Sequence, residues 1–573
     1  MPINSMLTWL NKAQQTTAAG SHCDRRSSLP PLPSPFRYAI FLLTLLFALF
    51  APDAFAANKL LKVKKPDPSD SLFATNAPIR TFKIEVSGPE LAALQKDNRA
   101  YARGKVIVDD EMFGAAGVHL KGNGSFRPLN EKPSLVIKFD RFVPDQEFCG
   151  LTKISLNSSS QDPTYLADFM ANEMFREADV PASRVTHARV TFNGRDLGLY
   201  VLVEMHNKEF LKRWFRNSQG NLYEAYLADV DSQMDQDHGD DTTQSDRKRF
   251  AEAVKIPDAT ERWTKLHDVL DVDRYVSHLV CELFTSHTDG YAMNRNNYRI
   301  YHNPDTDKFT FIGHGVDWAF ANAGIDVRNP PQNTLVTKAV MSAPEGQRLY
   351  KQRVGELFTN VFQLEVLTNR VNAAVGRLVA HASNPNEVKD FLRYGTDMNN
   401  RLVTRWRNIT NQLYAPPPPA VAFDSQGVAR LSGWRKKVDK NSAAPSLHEQ
   451  TTDGSHRVLR VSCTNGPCVA SWRTKIALPP GVYLFEGDAR AAGVIARTND
   501  LIGFGAGLRI SQGKRENKLE GDAPWTRVRH NFTNQFEEVE LICELRAMQG
   551  EVWFDTDSLR LVRTKMGAAN RPD

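Results

Sequence analysis

LVCELFTSHTDGYAMNRNNYRIYHNPDTDKFTFIGHGVDWAF, residues 279–320, is the stretch from which the rest of the chain can be read. Its first residues are apolar at helical spacing. After them come a polar segment, a strand-like NYRIYHN, a turn-forming NPDTD, a second strand-like KFTFIGHG, and Asp317 at its end. The predicted order is helix, polar loop, hairpin, acid.

Asp289 and Asn294 stand in a D-x-x-x-x-N arrangement. Protein kinases use that spacing to orient a substrate hydroxyl with the Asp and to hold a divalent ion with the Asn. Asp317, beyond the hairpin, sits where a kinase places its metal-binding Asp. Phosphoryl transfer concentrates negative charge, which a metal held by hard oxygen ligands neutralises while a carboxylate accepts the hydroxyl proton. An Asp and an Asn in a polar loop are more often turn and capping residues, so the spacing alone is weakly specific.

The longer pattern is more specific. DGYAMNRNNYRIY followed by FIGHGVDWAF resembles the signature of the spore-coat protein H (CotH) family of secreted, atypical protein kinases, through Asp289, Asn294, Asn297, Tyr298 and Asp317. Where many members carry Trp-Asp before the final acid, this chain has His314 and Gly315, which leaves Asp317 without a neighbouring carboxylate. The resemblance implies an ATP-dependent phosphotransferase acting on Ser/Thr hydroxyls of proteins, with Asp289 catalytic and with Asn294 and Asp317 as ligands of Mg²⁺ or Mn²⁺.

The composition is that of a soluble globular protein: 573 residues, 41% hydrophobic and 24% charged, enough for two or three cores. A net charge of +6 is mild and shows no nucleic-acid stripe, so no nucleic-acid partner is expected. The strongly apolar run from Tyr38 to Phe50 follows Arg25, Arg26 and Arg37 and precedes APDAFAAN, which reads as a signal peptide (1–56) cut near Ala56. Export would place the protein outside the cytoplasm, secreted, periplasmic or at the cell envelope, with no stable membrane span after cleavage. Cys23 would be lost, leaving an odd number of cysteines in an oxidising compartment. Cys463 and Cys468, separated by the turn residues TNGP, are the expected disulfide, and Cys281 a buried thiol.

After a linker (57–79), residues 80–414 read as one mixed α/β domain. TFKIEVS is a strand, PELAALQKD a helix, and GKVIVDDEMFGAAGVHLKGNGSF a meander ending in a glycine turn. LKGNGSFR and KPSLVIKF resemble the family's glycine turn and the lysine-bearing strand after it. The resemblance implies that Gly122, Gly124 and Ser125 approach phosphate, with Lys132 as the nucleotide lysine and Lys121 and Lys138 as alternates. A GNGS segment is also an ordinary hairpin turn. In DPTYLADFMANEMFREADVP, the resemblance makes Glu173 the lysine's helical partner. GLYVLVE would lead to the adenine-binding hinge, with Glu204 either at that hinge or in a core-edge salt bridge. The acidic stretch 229–246 loosely mimics calcium-loop spacing at Asp235, Asp237 and Asp246, but Asp240 stands where glycine is needed, so a solvated loop is expected.

APPPPA, residues 415–420, is a stiff spacer. Beyond it, residues 421–566 read as all β, with short alternating runs and glycine turns. GEVWFDTDSLRL resembles the last strands of carbohydrate-binding modules. This implies a glycan partner, with Trp472, Trp525 and Trp553 as sugar platforms or core residues and Asp555 as a ligand of structural Ca²⁺. The fold class expected is α+β, an atypical protein-kinase-like domain followed by an all-β jelly-roll sandwich. The expected function is an exported CotH-type kinase, the alternative being a catalytically silent glycan-binding scaffold of the envelope.

Overall fold

TFKIEVS alternates apolar and polar residues, and the chain folds Arg80–Val86 into strand β1 with Phe82, Ile84 and Val86 turned inward. The computed structural model describes residues 67–564 except 440, 453–455, 465, 498–501, 512, 516 and 535–537. The expected signal peptide, Cys23, positions 57–66 of the linker and the last residues of the expected β domain lie outside the described residues. Among the described residues no helix is long and apolar enough to cross a membrane.

After helix α1 (Gly88–Lys96), strands β2 (Ala102–Val108) and β3 (Glu111–Lys121) form the expected meander, β4 (Ser134–Lys138) is the lysine-bearing strand after it, and β5 (Lys153–Asn157) extends the sheet. Helix α2 (Ala167–Glu177) and strands β6 (Val185–Phe192) and β7 (Arg195–Glu204) follow. The strands close into a barrel in the order β1-β2-β3-β4-β5-β7-β6, sealed by parallel pairing of β1 with β6. The seal depends on the turn between β6 and β7. Asn193 and Gly194 both have positive φ, as a two-residue hairpin requires, and the Asn193 amide donates to Val86 O at 3.0 Å and accepts from Val86 N at 2.7 Å.

The second layer is built on helix α6. Helix α3 (Lys208–Trp214), strands β8 (Leu222–Glu224) and β9 (Asp235–His238), and helices α4 (Ser245–Lys255) and α5 (Ala259–Val269) lead to α6 (Val272–Phe284). All of α6 is buried except Asp273 and Arg274. The expected loop and hairpin follow as the short helix α7 (Tyr291–Asn294), β10 (Tyr298–Asn303) and β11 (Lys308–Gly313), in a sheet ordered β11-β10-β8-β9. Helices α8 (Leu335–Met341), α9 (Pro344–Asn360), α10 (Leu364–Ala380) and α11 (Pro385–Tyr414) complete the core. Arg405 of α11 is wholly buried. It donates to Phe284 O and Leu283 O, capping the C-terminal end of α6, and to Ala323 O and Ile325 O beyond Asp317.

The acidic stretch is solvated in part, as expected, with Asp231, Asp235, Asp237 and Asp240 exposed, but two of its acids are buried. Asp229 is buried and accepts from the Tyr291 hydroxyl at 2.7 Å, and Asp246 is buried and accepts from the Tyr223 hydroxyl at 2.6 Å. Buried tyrosine hydroxyls need acceptors, and these acids supply them.

The C-terminal part is antiparallel β throughout: β12 (Val428–Arg430), β13 (Arg435–Val438), β14 (Ser446–Thr452), β15 (His456–Cys463), β16 (Cys468–Ala477), β17 (Gly481–Ala496), β18 (Gly505–Ile510), β19 (Gly521–Asn534), β20 (Glu538–Asp555) and β21 (Arg560–Arg563). Strand β20 pairs with β16 and β18 along its first half and with β15 and β17 along its second. All ten strands are thereby linked into one sheet folded around its own core, a continuity that the expectation of a jelly roll did not contain. Cys463 and Cys468 stand in it as buried free thiols, not as the expected disulfide. Cys463 Sγ lies against Gly466 O at 3.2 Å, and the ladders to β20 already hold both strands. Trp472 is core, with its Nε1 donating to Arg460 O. Asp555 accepts from Asp557 N at 3.1 Å, as a turn residue does.

Candidate active site

The D-x-x-x-x-N loop is a preorganised ring of amides around a carboxylate. Asp289 Oδ1 accepts from Asn294 Nδ2 at 2.5 Å, and Oδ2 accepts from Asn296 at 3.0 Å and Asn297 at 2.8 Å. The loop rests on a buried acid of the preceding helix. Glu282 accepts from Tyr291 N at 2.7 Å and Ala292 N at 2.9 Å, satisfying two donors at the start of α7. Burial raises the Glu282 carboxyl to about 8, against the pull of those two N–H groups. The approach is tight, because a β-carbon on Gly290 would lie 2.4 Å from Glu282 Oε1.

The segment beyond the hairpin is tied to this loop. His287 Nε2 is 3.2 Å from His314 O, Asn297 Nδ2 reaches Gly315 O at 3.4 Å, and Phe320 N donates to Thr285 O at 2.6 Å. Gly315 has φ +60°, and a β-carbon there would lie 2.6 Å from the Asn297 side chain. The absent second acid is therefore a steric requirement of this loop. Asp317 follows two residues later.

The lysine whose charge acts on Asp317 is Lys121. It lies at the end of β3, donates to Ser155 Oγ at 3.0 Å, and feels the charges of Asp168 and Asp317. Lys132, the expected nucleotide lysine, is elsewhere. Its ammonium donates to Leu199 O at 2.6 Å and Tyr165 Oη at 2.7 Å, over the Tyr165 and Tyr200 rings, and burial lowers it to about 8. Lys138 lies 3.9 Å from Asp140. The expected helical partner is corrected as well: Glu173 pairs with Arg176 one turn on, and the acid of α2 whose carboxyl feels the charge of Lys121 is Asp168, which accepts from Asn157 Nδ2 at 3.1 Å. Glu204 is an ion-pair centre, accepting from Arg184 at 2.7 Å and from Arg213. Gly122, Gly124 and Ser125 form the turn directly after Lys121, with Gly122 at φ +105° and its carbonyl held by Arg99 at 2.5 Å.

Burial and the neighbouring Asp168 raise Asp317 to about 7, against the pull of Lys121. Burial raises Asp168 to about 6, with Lys121 opposing and Asp162 adding to it. Two acids facing one lysine form a site short of positive charge, and that donor set fits a divalent cation. Among the described residues no three His, Cys, Asp or Glu side chains converge to hold a metal.

The family model described as CotH kinase protein matches residues 118–413, just over half of the chain and all of this site. The chain belongs to the CotH kinase family. A relative in Bacillus subtilis (strain 168), inner spore coat protein H, is 22% identical over 261 residues, covering 41% of this chain and 70% of that one. Among solved structures, the Helicobacter pylori proinflammatory kinase CtkA overlaps 53% of this chain and 99% of its own at 8% identity and a TM-score of 0.25. TmCBM61, solved in complex with beta-1,4-galactotriose, overlaps 24% and 91% at 12% identity and a TM-score of 0.18. Neither superposition is close enough to decide the fold, and membership rests on the family match.

In this CotH kinase the lysine is backed by a polar network that local sequence does not reveal. Arg299 of β10 donates to Glu224 at 2.5 Å and Asp237 at 2.9 Å and touches His206 Nδ1 at 2.9 Å, while His314 Nε2 lies 3.2 Å from Glu224. Burial would raise Glu224, but Arg299, His314 and Lys121 outweigh it and hold the carboxyl down to about 2. Asp168 and Asn296 are the other residues missed. Asp168 reads as a first-turn helix acid, and Asn296 as one asparagine of a polar run.

Proposed function

We propose that this CotH kinase transfers the γ-phosphoryl group of ATP to Ser/Thr hydroxyls of extracytoplasmic proteins. The observation that carries the reading is the electrostatic coupling of buried Lys121 to Asp168 and Asp317, beside the tie from Gly315 through Asn297 to Asp289. Lys121, with the turn Gly122–Ser125, positions the phosphates, and Asp168 orients Lys121. Asn294 and Asp317 would hold Mg²⁺ or Mn²⁺, whose charge offsets that of the polyphosphate. A carboxylate has about four acceptor directions, and three of those on Asp289 are filled by asparagine amides. The one left on Oδ1 is available to the acceptor hydroxyl. As that oxygen bonds to the γ-phosphorus, its proton passes to Asp289, the γ-phosphorus–oxygen bond to the β-phosphate breaks, and ADP leaves.

Export is supported by the apolar run ahead of APDAFAAN and by the name of the spore-coat relative. The C-terminal domain is read as glycan-binding, supported by Trp525, which exposes 43% of its surface on the outside of the sheet. The deciding experiment incubates the protein with labelled ATP and Mn²⁺, alone and with envelope proteins, and reads the products by mass spectrometry. Phosphoserine or phosphothreonine that disappears in Asp317→Asn supports the reading. Adenylated products, or none at all, sink it.

A further inference from the structure

One row of side chains crosses the outer face of the C-terminal sheet. Strand register sets His448 beside Arg460, Arg460 beside Trp553, and Trp553 beside Arg490. At the β17–β19 edge, the Arg490 guanidinium lies over the Trp525 ring at 5.7 Å. It also lies over Trp553 at 4.5 Å, and Arg460 approaches Trp553 from the other side at 5.8 Å. Cations and aromatic rings thus alternate across neighbouring strands, because the pleat sends every second residue of β15, β17, β19 and β20 to this face.

The charges in and around the row are not equivalent. Arg460 is paired with Glu551 at 2.7 Å. Arg527, Arg529 and Arg560 share Glu486, and Arg527 also pairs with Asp488. Arg490 has no carboxylate partner among the described residues. Its planar fork is held by two rings and leaves its in-plane N–H donors free for a bidentate acceptor. Trp525 beside it offers an aromatic face, the surface on which the apolar face of a sugar ring stacks.

We propose that this row is a binding site for an acidic polysaccharide, with Arg490 taking a sugar carboxylate and Trp525 stacking on the ring. The inference rests on the reading of the C-terminal domain as glycan-binding and adds the class of glycan. An open row crossing five strands suits an extended polymer better than a small ligand, which a concave pocket would enclose. The row is also remote from the contact with the kinase domain. That contact includes Glu538, with Arg328 at 3.0 Å and Asn329 at 3.1 Å, at the opposite end of β20 from Trp553.

The test uses the full chain and isothermal titration with polygalacturonate, the same polymer after carboxyl reduction, a neutral galactan, and poly-glutamate. Polygalacturonate should bind at least ten-fold more tightly than the reduced polymer. Arg490→Gln and Trp525→Ala should each weaken it ten-fold or more with unchanged near-ultraviolet circular dichroism, and Arg490→Lys should recover only part of the loss. Equal binding of the reduced polymer or of galactan overturns the acidic preference and leaves the glycan reading standing. Poly-glutamate binding as tightly as polygalacturonate overturns the saccharide class. No binding of any polysaccharide overturns both.

Discussion

The side chain of Asn297 occupies the space that a β-carbon on Gly315 would need, 2.6 Å from its ideal position. The same asparagine donates to Asp289 at 2.8 Å, so one residue bears both on the space beside Asp317 and on the placement of the Asp289 carboxylate. Supplying the second acid that many family members carry should therefore harm this protein. Gly315→Asp is expected to cost about 1–3 kcal/mol, from the left-handed backbone and the displaced amide, and to lower turnover through Asp289. A variant as stable and active as the parent would show that Asn297 has room to move.

The two lysines separate cleanly. Lys121→Met should weaken nucleotide binding at least ten-fold, because the phosphates lose their cation. Lys132→Met should leave nucleotide affinity within two-fold and lower stability by about 1–3 kcal/mol, since the carbonyl of Leu199 loses its charged donor. Titration with a fluorescent ATP analogue, alongside urea melts, reads both. The opposite pattern would restore Lys132 as the nucleotide lysine.

Asp289 and Asp317 should fail in different ways. Asp317→Asn is expected to weaken metal–nucleotide binding and turnover together. Asp289→Asn should lower kcat by about 10²–10⁴ with nucleotide affinity nearly intact. Thermal melts without ligand must first show both variants folded. Full activity in folded Asp317→Asn would remove the kinase assignment from this loop and hairpin.

Glu282 gives the pH prediction. Burial raises its folded value to about 8 from an ordinary 4.5, so the folded state binds more protons than the unfolded chain between those values. Its charged form costs stability, and that cost grows as pH rises from about 5 to 8. Glu282→Gln should be close to the parent in melting temperature at pH 5 and relatively more stable at pH 8. A parallel pair of pH profiles would refute the assignment.

Cutting the linker is expected to leave two folded parts. The buried apolar clusters on the two sides of residues 415–420 share no member. The polar bridge Arg328–Glu538 is a contact between folded parts, not a shared core. A fragment from residue 421 onward should melt cooperatively by itself, as should one ending at residue 414. Aggregation of the C-terminal fragment under reducing conditions would place the boundary elsewhere.

By itself, the sequence determined what depends on neighbours along the chain. The spacing of Asp289 and Asn294, the hairpin that carries Asp317, and the change from mixed to all-β character after APPPPA follow from periodicity and turn chemistry, which act over a few residues. Tertiary structure decided which charges meet. Lys121 and Lys132 are eleven residues apart and chemically alike, and only barrel register, with Lys121 opposite Ser134, sends the first toward Asp168 and Asp317. Asp168 and Glu173 lie on one helix but about 140° apart around it, and packing, not propensity, chose the face. The acidic stretch predicts a solvated loop, and Asp235 and Asp237 are exposed, but Asp229 and Asp246 are buried where they accept from the hydroxyls of Tyr291 and Tyr223, far off in sequence. Trp472 and Trp525 are the same residue type in similar strands, and the pleat of a folded sheet put one in the core and the other in water.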